Sequence, residues 1–415
     1  MIRQITLIAI AVTLTLAGCA PKQQPTPVEK QGYAFWPPAP DEPHIQFLTA
    51  INSSKDVAPR SKGGFDDMVY GAEQEQVLAV QKPYGVRMWN GRIYVCEIRS
   101  QGVTVLDLVK QQTRVMGATG RGQIKKAVDI AIAPDGTKYV VDQADAAIKV
   151  FSPDERFVTA YALPKSRPAG ACIFGPYLYV TDFENAHVKI LDRNYGTVLK
   201  TFGERGGLDG QFIGPLAITA DKQGCVYVTD PIRARVQKFG PDGAFLMGFG
   251  SAGNRPGNFV RPKHLGVGSD GNIHVVDAAF NNVQVFDPQG KFVGYYGSRG
   301  SHPGAMDLPA GLEIIEGNSD LFQRFVHPAF QAERVIVVAN QFGGQKLGIY
   351  AMGGLKSGKT VADLGNQANV ASGTAAPTTQ PALVLPATLP AAPPSPPMTP
   401  TTRPAQPTRE IATRP

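Results

Sequence analysis

The chain has 415 residues, of which 43% are hydrophobic, so it can form a substantial core as one large domain or a few ordinary ones. The formal net charge is +7. Only about +4 of that charge lies between His44 and Leu355, which is too modest to indicate nucleic-acid binding by itself. Beyond the N-terminal region, Cys96, Cys172 and Cys225 lack C-x-x-C spacing, which excludes a zinc ribbon, a haem attachment site and a disulfide framework. We expect buried free thiols.

Residues 1–18 are predicted to be a signal peptide. Arg3 forms a short basic segment, and the apolar run ITLIAIAVTLTLA that follows is too short to span a membrane comfortably. The run ends in LAGC, which resembles the lipobox of bacterial lipoproteins, where cleavage precedes a cysteine that then carries the lipid. The resemblance implies lipidation at Cys19. Ala20 stands where the inner-membrane retention signal is usually aspartate, so we expect outer-membrane attachment, facing the periplasm or the cell surface.

The segments that follow the signal peptide contain two isolated elements. Residues 19–43 are predicted to be a linker, and PHIQFLTAI, residues 43–51, is a strand-like segment outside any repeat. Residues 65–73 are predicted to form a short helix.

From Tyr94 onwards the chain repeats a β-rich pattern. Five copies have the form of YVVDQADAAIKVFSP, in which an acidic residue ends one β-rich run shortly before the next begins, and VIVVANQFGGQKLGIY is a degenerate sixth copy. Marker residues precede the copies at spacings of 41 to 47 residues: Pro83, Ala127, Pro168, Pro215, Pro262 and Pro309. This period, with four short strands per unit, predicts the blades of a β-propeller.

Several features of the repeat recur in fixed order. The pattern G-x-x-G-x-x-x-G-x-[FM]-x-x-P, followed by D-x-x-G-x-[IV]-[YH]-V-x-D, resembles the NHL repeat between Lys82 and Met352. The resemblance implies an all-β, six-bladed propeller, which we place at residues 44–355. Residues 43–51 are expected to supply the outermost strand of blade six and so remove an exposed edge. Blade six also carries the insertion EGNSDLFQRFVHPAFQAE between its first two strands, the one loop long enough to shape a site.

The end of the propeller contains GGLKSGKT, from Gly353 to Thr360, which matches the nucleotide-binding pattern G-x-x-x-x-G-K-[ST]. A phosphate-binding loop requires a parallel sheet and a following helix. Here the motif follows the third strand of blade six, and VADLGNQANV offers at most one helical turn. We therefore expect no nucleotide. Residues 356–415, rich in proline, alanine and threonine, are predicted to be a disordered tail.

Propellers bind ligands at the mouth of the central channel, and the position two residues after each marker is expected to line that mouth. In ring order these positions are Gly85, Asp129, Gly170, Ala217, His264 and Gly311. Asp129 and His264, on opposite sides of the ring, are therefore the candidate ligand-contacting residues. The repeated acids are instead expected to accept hydrogen bonds from the loop between strands two and three. These acids are Asp142, Asp182, Asp230 and Asp277.

Basic residues are concentrated in two sets of loops that open on the same propeller face. They are Lys82, Lys125, Lys126, Arg167, Arg261 and Lys263 before the innermost strands, and Arg99, Arg233 and Arg235 between strands two and three. Such a cluster attracts acidic partners. Exposed loops also carry charge simply for solvation, and Asp145, Glu184 and Asp209 dilute this cluster, so both interpretations stay open.

Two functions follow from these features. The first is a non-enzymatic binding or scaffold module, a lipid-anchored envelope protein whose basic face meets an acidic protein, polysaccharide or lipid headgroup, with no cofactor. Some NHL propellers bind RNA through such a face, but export makes that partner unexpected here. The alternative is an enzyme, since similar propellers include lactonases and a peptidyl-hydroxyglycine lyase that hold channel metals with several His, Asp, Asn or Glu. Of six histidines only His264 falls at a predicted channel position, which favours the first function.

Overall fold

Six antiparallel sheets form the computed structural model, which describes residues 33–58, 77–317 and 319–365. Among these residues five sheets have four strands and one has five. The innermost strand begins at the predicted marker in five of the six sheets and three residues after Pro215 in the other. The predicted six-bladed all-β propeller is confirmed. Because consecutive strands pair within each blade, the first strand of each blade is the innermost and lines the channel.

The N-terminal elements are β1 (Ala34–Trp36), β2 (Ile45–Ile51) and the short helix α1 (Ser54–Val57). Blade 1 consists of β3 (Pro83–Trp89), β4 (Arg92–Glu97), β5 (Val103–Asp107) and β6 (Gln112–Met116). Blade 2 consists of β7 (Ala127–Ile132), β8 (Lys138–Asp142), β9 (Ala147–Phe151) and β10 (Phe157–Ala162). Blade 3 consists of β11 (Pro168–Phe174), β12 (Tyr177–Asp182), β13 (His187–Asp192) and β14 (Val198–Phe202).

Blade 4 consists of β15 (Ile218–Ala220), β16 (Val226–Asp230), β17 (Arg235–Phe239) and β18 (Phe245–Phe249). Blade 5 consists of β19 (Pro262–Val267), β20 (Ile273–Asp277), β21 (Asn282–Phe286) and β22 (Phe292–Tyr296). Blade 6 contains β23 (Pro309–Glu316), the 3₁₀ helix η1 (Ser319–Phe325), β24 (Phe330–Asn340) and β25 (Leu347–Leu355), and a second 3₁₀ helix, η2 (Val361–Leu364), follows it.

The second and fourth strands of a blade differ in burial, and the sequence shows why. In blade 2, β8 reads KYVVD and is buried at every position, because neighbouring blades cover both of its faces. In the same blade β10 reads FVTAYA and alternates between half-buried and exposed positions, because one of its faces meets solvent. β-Branched and aromatic residues suit these pleated surfaces, which is why YV-type runs recur in the second strands.

The ring is closed by the N-terminal segment. Strand β2 pairs antiparallel with β25, with Ile45 opposite Met352, so the predicted closing strand is confirmed. Strand β1 pairs with β2 on its outer side, so β1 and not β2 is outermost in this sheet. Strand β1 lies within the predicted linker 19–43. The sequence did not predict this strand, because AFW is only three residues long and is followed by two prolines.

The insertion of blade six supports this closure. Helix η1 lies in the insertion, and Phe322 and Val326 belong to the same buried core cluster as Leu48 of β2. Gln46 is fully buried between these elements. Its Nε2 donates to the carbonyl of Phe325 at 3.0 Å, and its Oε1 accepts from the N–H of His327 at 3.0 Å. The long loop, expected to shape a site, therefore braces the closing strand.

The end of the propeller differs from the predicted boundary at Leu355. The structure describes the chain as far as Gly365, and Leu364 of η2 is 2% exposed in the core cluster that contains the closing strand. Predicted features outside the described residues are the signal peptide, Cys19, the helix at 65–73 and the tail from residue 366 onwards. Within the described parts of the chain, no helix is long and apolar enough to cross a membrane.

The nucleotide-binding pattern lies at this end, and its surroundings are antiparallel. Gly353 belongs to β25, between β2 and β24, where a side chain would overlap the carbonyl oxygen of Gln331. Thr360 precedes the four-residue helix η2, and its N–H donates to the Asp363 carboxylate at 2.8 Å. The glycine is thus explained by a close approach between strands, and the helix is too short to present a phosphate site.

Candidate functional site

The repeated acids hold the loops of one propeller face. Asp277 is fully buried and accepts four backbone hydrogen bonds. Two come from Val260 and Arg261, before the innermost strand, and two come from Ala279 and Phe280, between strands two and three. The predicted bonds to the second loop are confirmed, and the bonds to the first loop are new. The acids that join both loops are Asp142, Asp182, Asp230 and Asp277.

These joined loops form one face of the ring, here called the front face; in blade 1 it comprises residues 81–82 and 98–102. The opposite rear face carries the turns between strands one and two and between strands three and four. In blade 1 the acid is Glu97, which holds the loop before the innermost strand. Its carboxylate accepts hydrogen bonds from the N–H groups of Gln81 and Lys82. In blade 6 the equivalent residue is Asn340, whose Oδ1 accepts from the N–H of Asp307 at 3.3 Å.

The expected open mouth of the channel is a constriction instead. A Cβ atom at Gly85 would lie 2.9 Å from Oδ1 of Asp129, and one at Gly311 would overlap the carbonyl oxygen of Tyr84. A Cβ atom at Gly170 would lie 2.6 Å from the carbonyl oxygen of Leu216. The small residues two positions after the markers therefore let the innermost strands of neighbouring blades touch. All six residues at this level are buried, so the channel is closed here.

Asp129 and His264 meet at this constriction. They are 2% and 3% exposed, and Nε2 of His264 lies 3.9 Å from Oδ1 of Asp129. The Asp129 carboxylate also accepts from the N–H of Ala171 at 3.0 Å and lies 3.9 Å from Nη2 of Arg87. Among the described residues, neither ring nitrogen of His264 has a hydrogen-bond partner. The two candidates are thus brought together, but within the protein rather than at an accessible mouth.

The charges of this cluster are set by Arg87. Burial raises the pKa of Asp129, but the Arg87 guanidinium, together with His264 and the Ala171 amide, outweighs burial and holds that pKa below its usual range. Burial, with repulsion from Arg87, lowers the pKa of His264, so its ring is neutral at pH 7. The constriction therefore contains an Arg87–Asp129 ion pair beside an uncharged imidazole.

A second ring of residues lies two positions beyond the constriction on the innermost strands, four residues after each marker. In ring order it consists of Arg87, Ala131, Cys172, Thr219, Gly266 and Glu313. Nε of Arg87 lies 3.5 Å from Oε2 of Glu313. Together with the residues that follow them, these side chains line a cavity of about 260 Å³ on the rear side of the constriction. The two charged residues could have been found by reading this position around the ring.

The channel residues do not fit a resident metal ion. Its two carboxylates, Asp129 and Glu313, both lie within ion-pair distance of Arg87, whose guanidinium already supplies the positive charge that a metal would bring. Across residues 33–58, 77–317 and 319–365, no three His, Cys, Asp or Glu side chains are grouped as a metal site would require. Cys96 and Cys172 are buried and Cys225 is half-buried, all as free thiols.

Four of the nine predicted basic residues are engaged by neighbours on the front face. Nζ of Lys125 lies 2.6 Å from Asp145, and Nη1 of Arg235 lies 3.7 Å from Asp209, so two of the three diluting acids are partners. The other two hydrogen-bond to uncharged groups, Lys126 to Gln143 and Arg233 to the carbonyl of Gly207. The charges of Lys125 and Arg235 are therefore partly compensated.

The remaining five basic residues likewise have no carboxylate partner among the described side chains, although Nζ of Lys263 donates to Oε1 of Gln341 at 3.3 Å. They are Lys82, Arg99, Arg167, Arg261 and Lys263. Three of them lie over aromatic rings, at 4.9 Å for Lys82 on Phe342, 4.9 Å for Arg167 on Phe183 and 5.6 Å for Lys263 on Tyr84. Burial, followed by repulsion from Arg261 and Lys82, lowers the pKa of Lys263 to about 8. We call these five residues the basic rim.

The fold places the chain among known structures. No protein-family model and no curated protein matches the sequence. A Bacteroides thetaiotaomicron protein of unknown function is similar in structure, with a TM-score of 0.52 and 15% identity over 74% of this chain and 75% of that one. The chain is a six-bladed β-propeller, and at this identity the likeness concerns the fold.

Two enzymes are also similar in structure. Virginiamycin B lyase from Staphylococcus aureus has a TM-score of 0.45 and 13% identity, over 66% of this chain and 95% of that one. A gluconolactonase from Xanthomonas campestris has a TM-score of 0.46 and 15% identity, over 66% of this chain and 87% of that one.

Proposed function

We propose that this chain is a non-enzymatic binding module of the cell envelope, an NHL-type propeller held by a lipid on Cys19 that presents its basic rim to an acidic partner. The observation that carries the proposal is the rim itself: five cations without carboxylate partners on one face, three of them over aromatic rings. The partner is an anionic protein, polysaccharide or membrane headgroup, and nucleotides and nucleic acids are not expected.

The electrostatics of the rim favour an anionic partner. Arg261 and Lys82 are close enough to Lys263 to lower its pKa, so the free protein holds like charges together. An anion that binds among them relieves this repulsion and favours the protonated form of Lys263. The aromatic rings beneath Lys82, Arg167 and Lys263 fix the positions of the cationic groups, which lowers the entropy cost of binding.

Reversing the rim charges tests the proposal. The triple variant Lys82→Glu, Arg167→Glu, Arg261→Glu is expected to weaken binding to anionic probes by about tenfold or more at low salt, because steering and contact are lost together. Binding would be measured with polyglutamate, with polygalacturonate and with vesicles of an anionic phospholipid, and the probe that responds identifies the class of partner.

The matched control reverses three exposed lysines on the rear face. Lys110→Glu, Lys222→Glu, Lys291→Glu changes net charge equally but leaves the rim intact, and is expected to bind as the unmodified protein does. If both triple variants lose affinity equally, net charge alone explains binding and the rim has no specific role.

The lipid anchor has its own test. Cys19→Ala removes the sulfur that would carry the lipid, so the protein is expected to move from the membrane fraction to the soluble fraction of the envelope. Fractionation followed by immunoblotting measures this, with Cys225→Ala as the control cysteine substitution. Retention of Cys19→Ala in the membrane fraction would contradict lipid anchoring.

A further inference from the structure

The cavity behind the constriction is a separate site from the basic rim, because the closed channel lies between them. Arg87, Glu313, Thr219 and Cys172 contribute polar side chains to its lining, and Trp89 is an aromatic residue of the lining. At about 260 Å³ it is slightly smaller than most drug-sized ligand sites and suits a compact molecule. We call it the rear pocket.

The two charged residues of the rear pocket, Arg87 and Glu313, differ in how well they are paired. Arg87 is 9% exposed, its Nη1 donates to the carbonyl of Val86 at 2.9 Å, and it faces two carboxylates. The side chain of Glu313 is 24% exposed, and its cationic neighbour is Nε of Arg87 at 3.5 Å, longer than a good charge-assisted hydrogen bond. The backbone of Met88 also favours the ionised form of Glu313, and this carboxylate, which lines the cavity, keeps acceptor capacity for a ligand.

The balance of charge in this region is negative when Glu313 is ionised. The groups that face Glu313 are Arg87 from β3 and Asp129 from β7, with neutral His264 from β19 behind them. Cys172 of β11 is a protonated thiol, because burial raises its pKa. The single guanidinium of Arg87 therefore lies beside two carboxylates, and a second cation would neutralise the remaining negative charge.

We propose that the rear pocket binds a small organic ammonium ion, with its N–H groups on the Glu313 carboxylate and its hydrocarbon part beside Trp89. An anionic ligand is disfavoured because the guanidinium of Arg87 is already paired, and its remaining neighbours are carboxylates that would repel a third negative group.

The pH dependence of this binding follows from Glu313. Burial, opposed by Arg87, raises the pKa of Glu313 to about 7, so at neutral pH a large fraction of the carboxyl groups is protonated. An ammonium ion binds the ionised form and expels the proton. Its affinity is therefore expected to rise about tenfold from about pH 6 to about pH 8, as the ionised fraction rises.

Benzylamine is a suitable probe, with benzyl alcohol and benzoate as neutral and anionic molecules of similar shape. The full chain contains two tryptophans, and Trp36 is fully buried whereas Trp89 lines the pocket, so tryptophan fluorescence reports on this site. Benzylamine is expected to bind, to bind more tightly than the other two molecules, and to bind more tightly at higher pH. Calorimetry of Trp89→Phe is expected to retain binding after the fluorescence change is lost.

Glu313→Gln is expected to weaken benzylamine binding about tenfold or more at about pH 8 and to remove its pH dependence. The matched control is Glu333→Gln, an exposed glutamate on the neighbouring strand β24, which is expected to change neither. If Glu313→Gln does not fold, the pH series on the unmodified protein still tests whether benzylamine binds the ionised Glu313 carboxylate.

Several results would overturn the assignment. These are tighter binding of benzoate than of benzylamine, affinity that falls as pH rises, no benzylamine binding at about 10 mM, or equal binding by Glu313→Gln. Displacement of benzylamine by millimolar calcium would likewise show that the pocket is a metal site and not an ammonium site.

Discussion

Arg87→Met is expected to lower the free energy of unfolding by about 3–5 kcal/mol at about pH 8, because it leaves the Asp129 carboxylate buried without a cation. Asp129 is 2% exposed, so water cannot replace the guanidinium without opening the channel. In the variant the Arg87 guanidinium no longer opposes burial, so the pKa of Asp129 is expected to rise although His264 and the Ala171 amide remain. The loss is therefore expected to shrink as pH falls through that raised value and Asp129 takes up a proton. Urea denaturation at several pH values measures both effects.

Two controls separate the ion pair from packing. Arg99→Met removes an exposed arginine of the basic rim and is expected to change stability by less than about 0.5 kcal/mol. The double variant Arg87→Met, Asp129→Asn removes both charges, and it is expected to recover a large part of the loss. A loss of equal size at all pH values, with no recovery in the double variant, would show that Arg87 acts by filling space.

Asp277→Ala is expected to lower the free energy of unfolding by about 3–5 kcal/mol, because four backbone N–H groups lose their acceptor in a fully buried place. The two loops that this carboxylate joins are also expected to open locally, which hydrogen exchange of the N–H groups of Val260, Arg261, Ala279 and Phe280 would detect. Thermal and urea denaturation measure the global loss.

The control for this variant is Asp154→Ala, at an exposed turn of blade 2, with an expected change below about 0.5 kcal/mol. Protection of the four N–H groups that stays unchanged in Asp277→Ala would contradict the joining role of the acid.

The fold could be predicted from the repeat, because the same residue types recur at similar spacings in each copy. Acids such as Asp142 and Asp277 recur with markers such as Pro168, and both belong to interactions within one blade, so a pattern of about 45 residues contains them. Strand β1 could not be predicted in this way, because it is short, lies outside every copy and pairs with β2, which is itself held by a strand from the other end of the chain.

The channel was less predictable because it depends on contacts between blades. Arg87 and Glu313 each occur in one copy only and meet across 226 positions of the chain, since their Nε and Oε2 atoms are 3.5 Å apart. A search for recurring residues does not find Arg87 and Glu313, because the other four copies have small or uncharged residues at the equivalent position. The glycines at the constriction were misjudged for a different reason: a missing side chain can widen a channel, but it can equally allow two backbones to touch.

The constriction built by Gly85, Gly170 and Gly311 divides the molecule into two compartments that share walls but no solvent path. A solute at the basic rim cannot diffuse through the ring to the rear pocket. The innermost strands nevertheless run through both, with Tyr84 under the rim and Arg87 in the pocket on the same strand β3. A partner on the front and a small ligand on the rear could therefore occupy the protein together, influencing one another through strand position and never through competition for space.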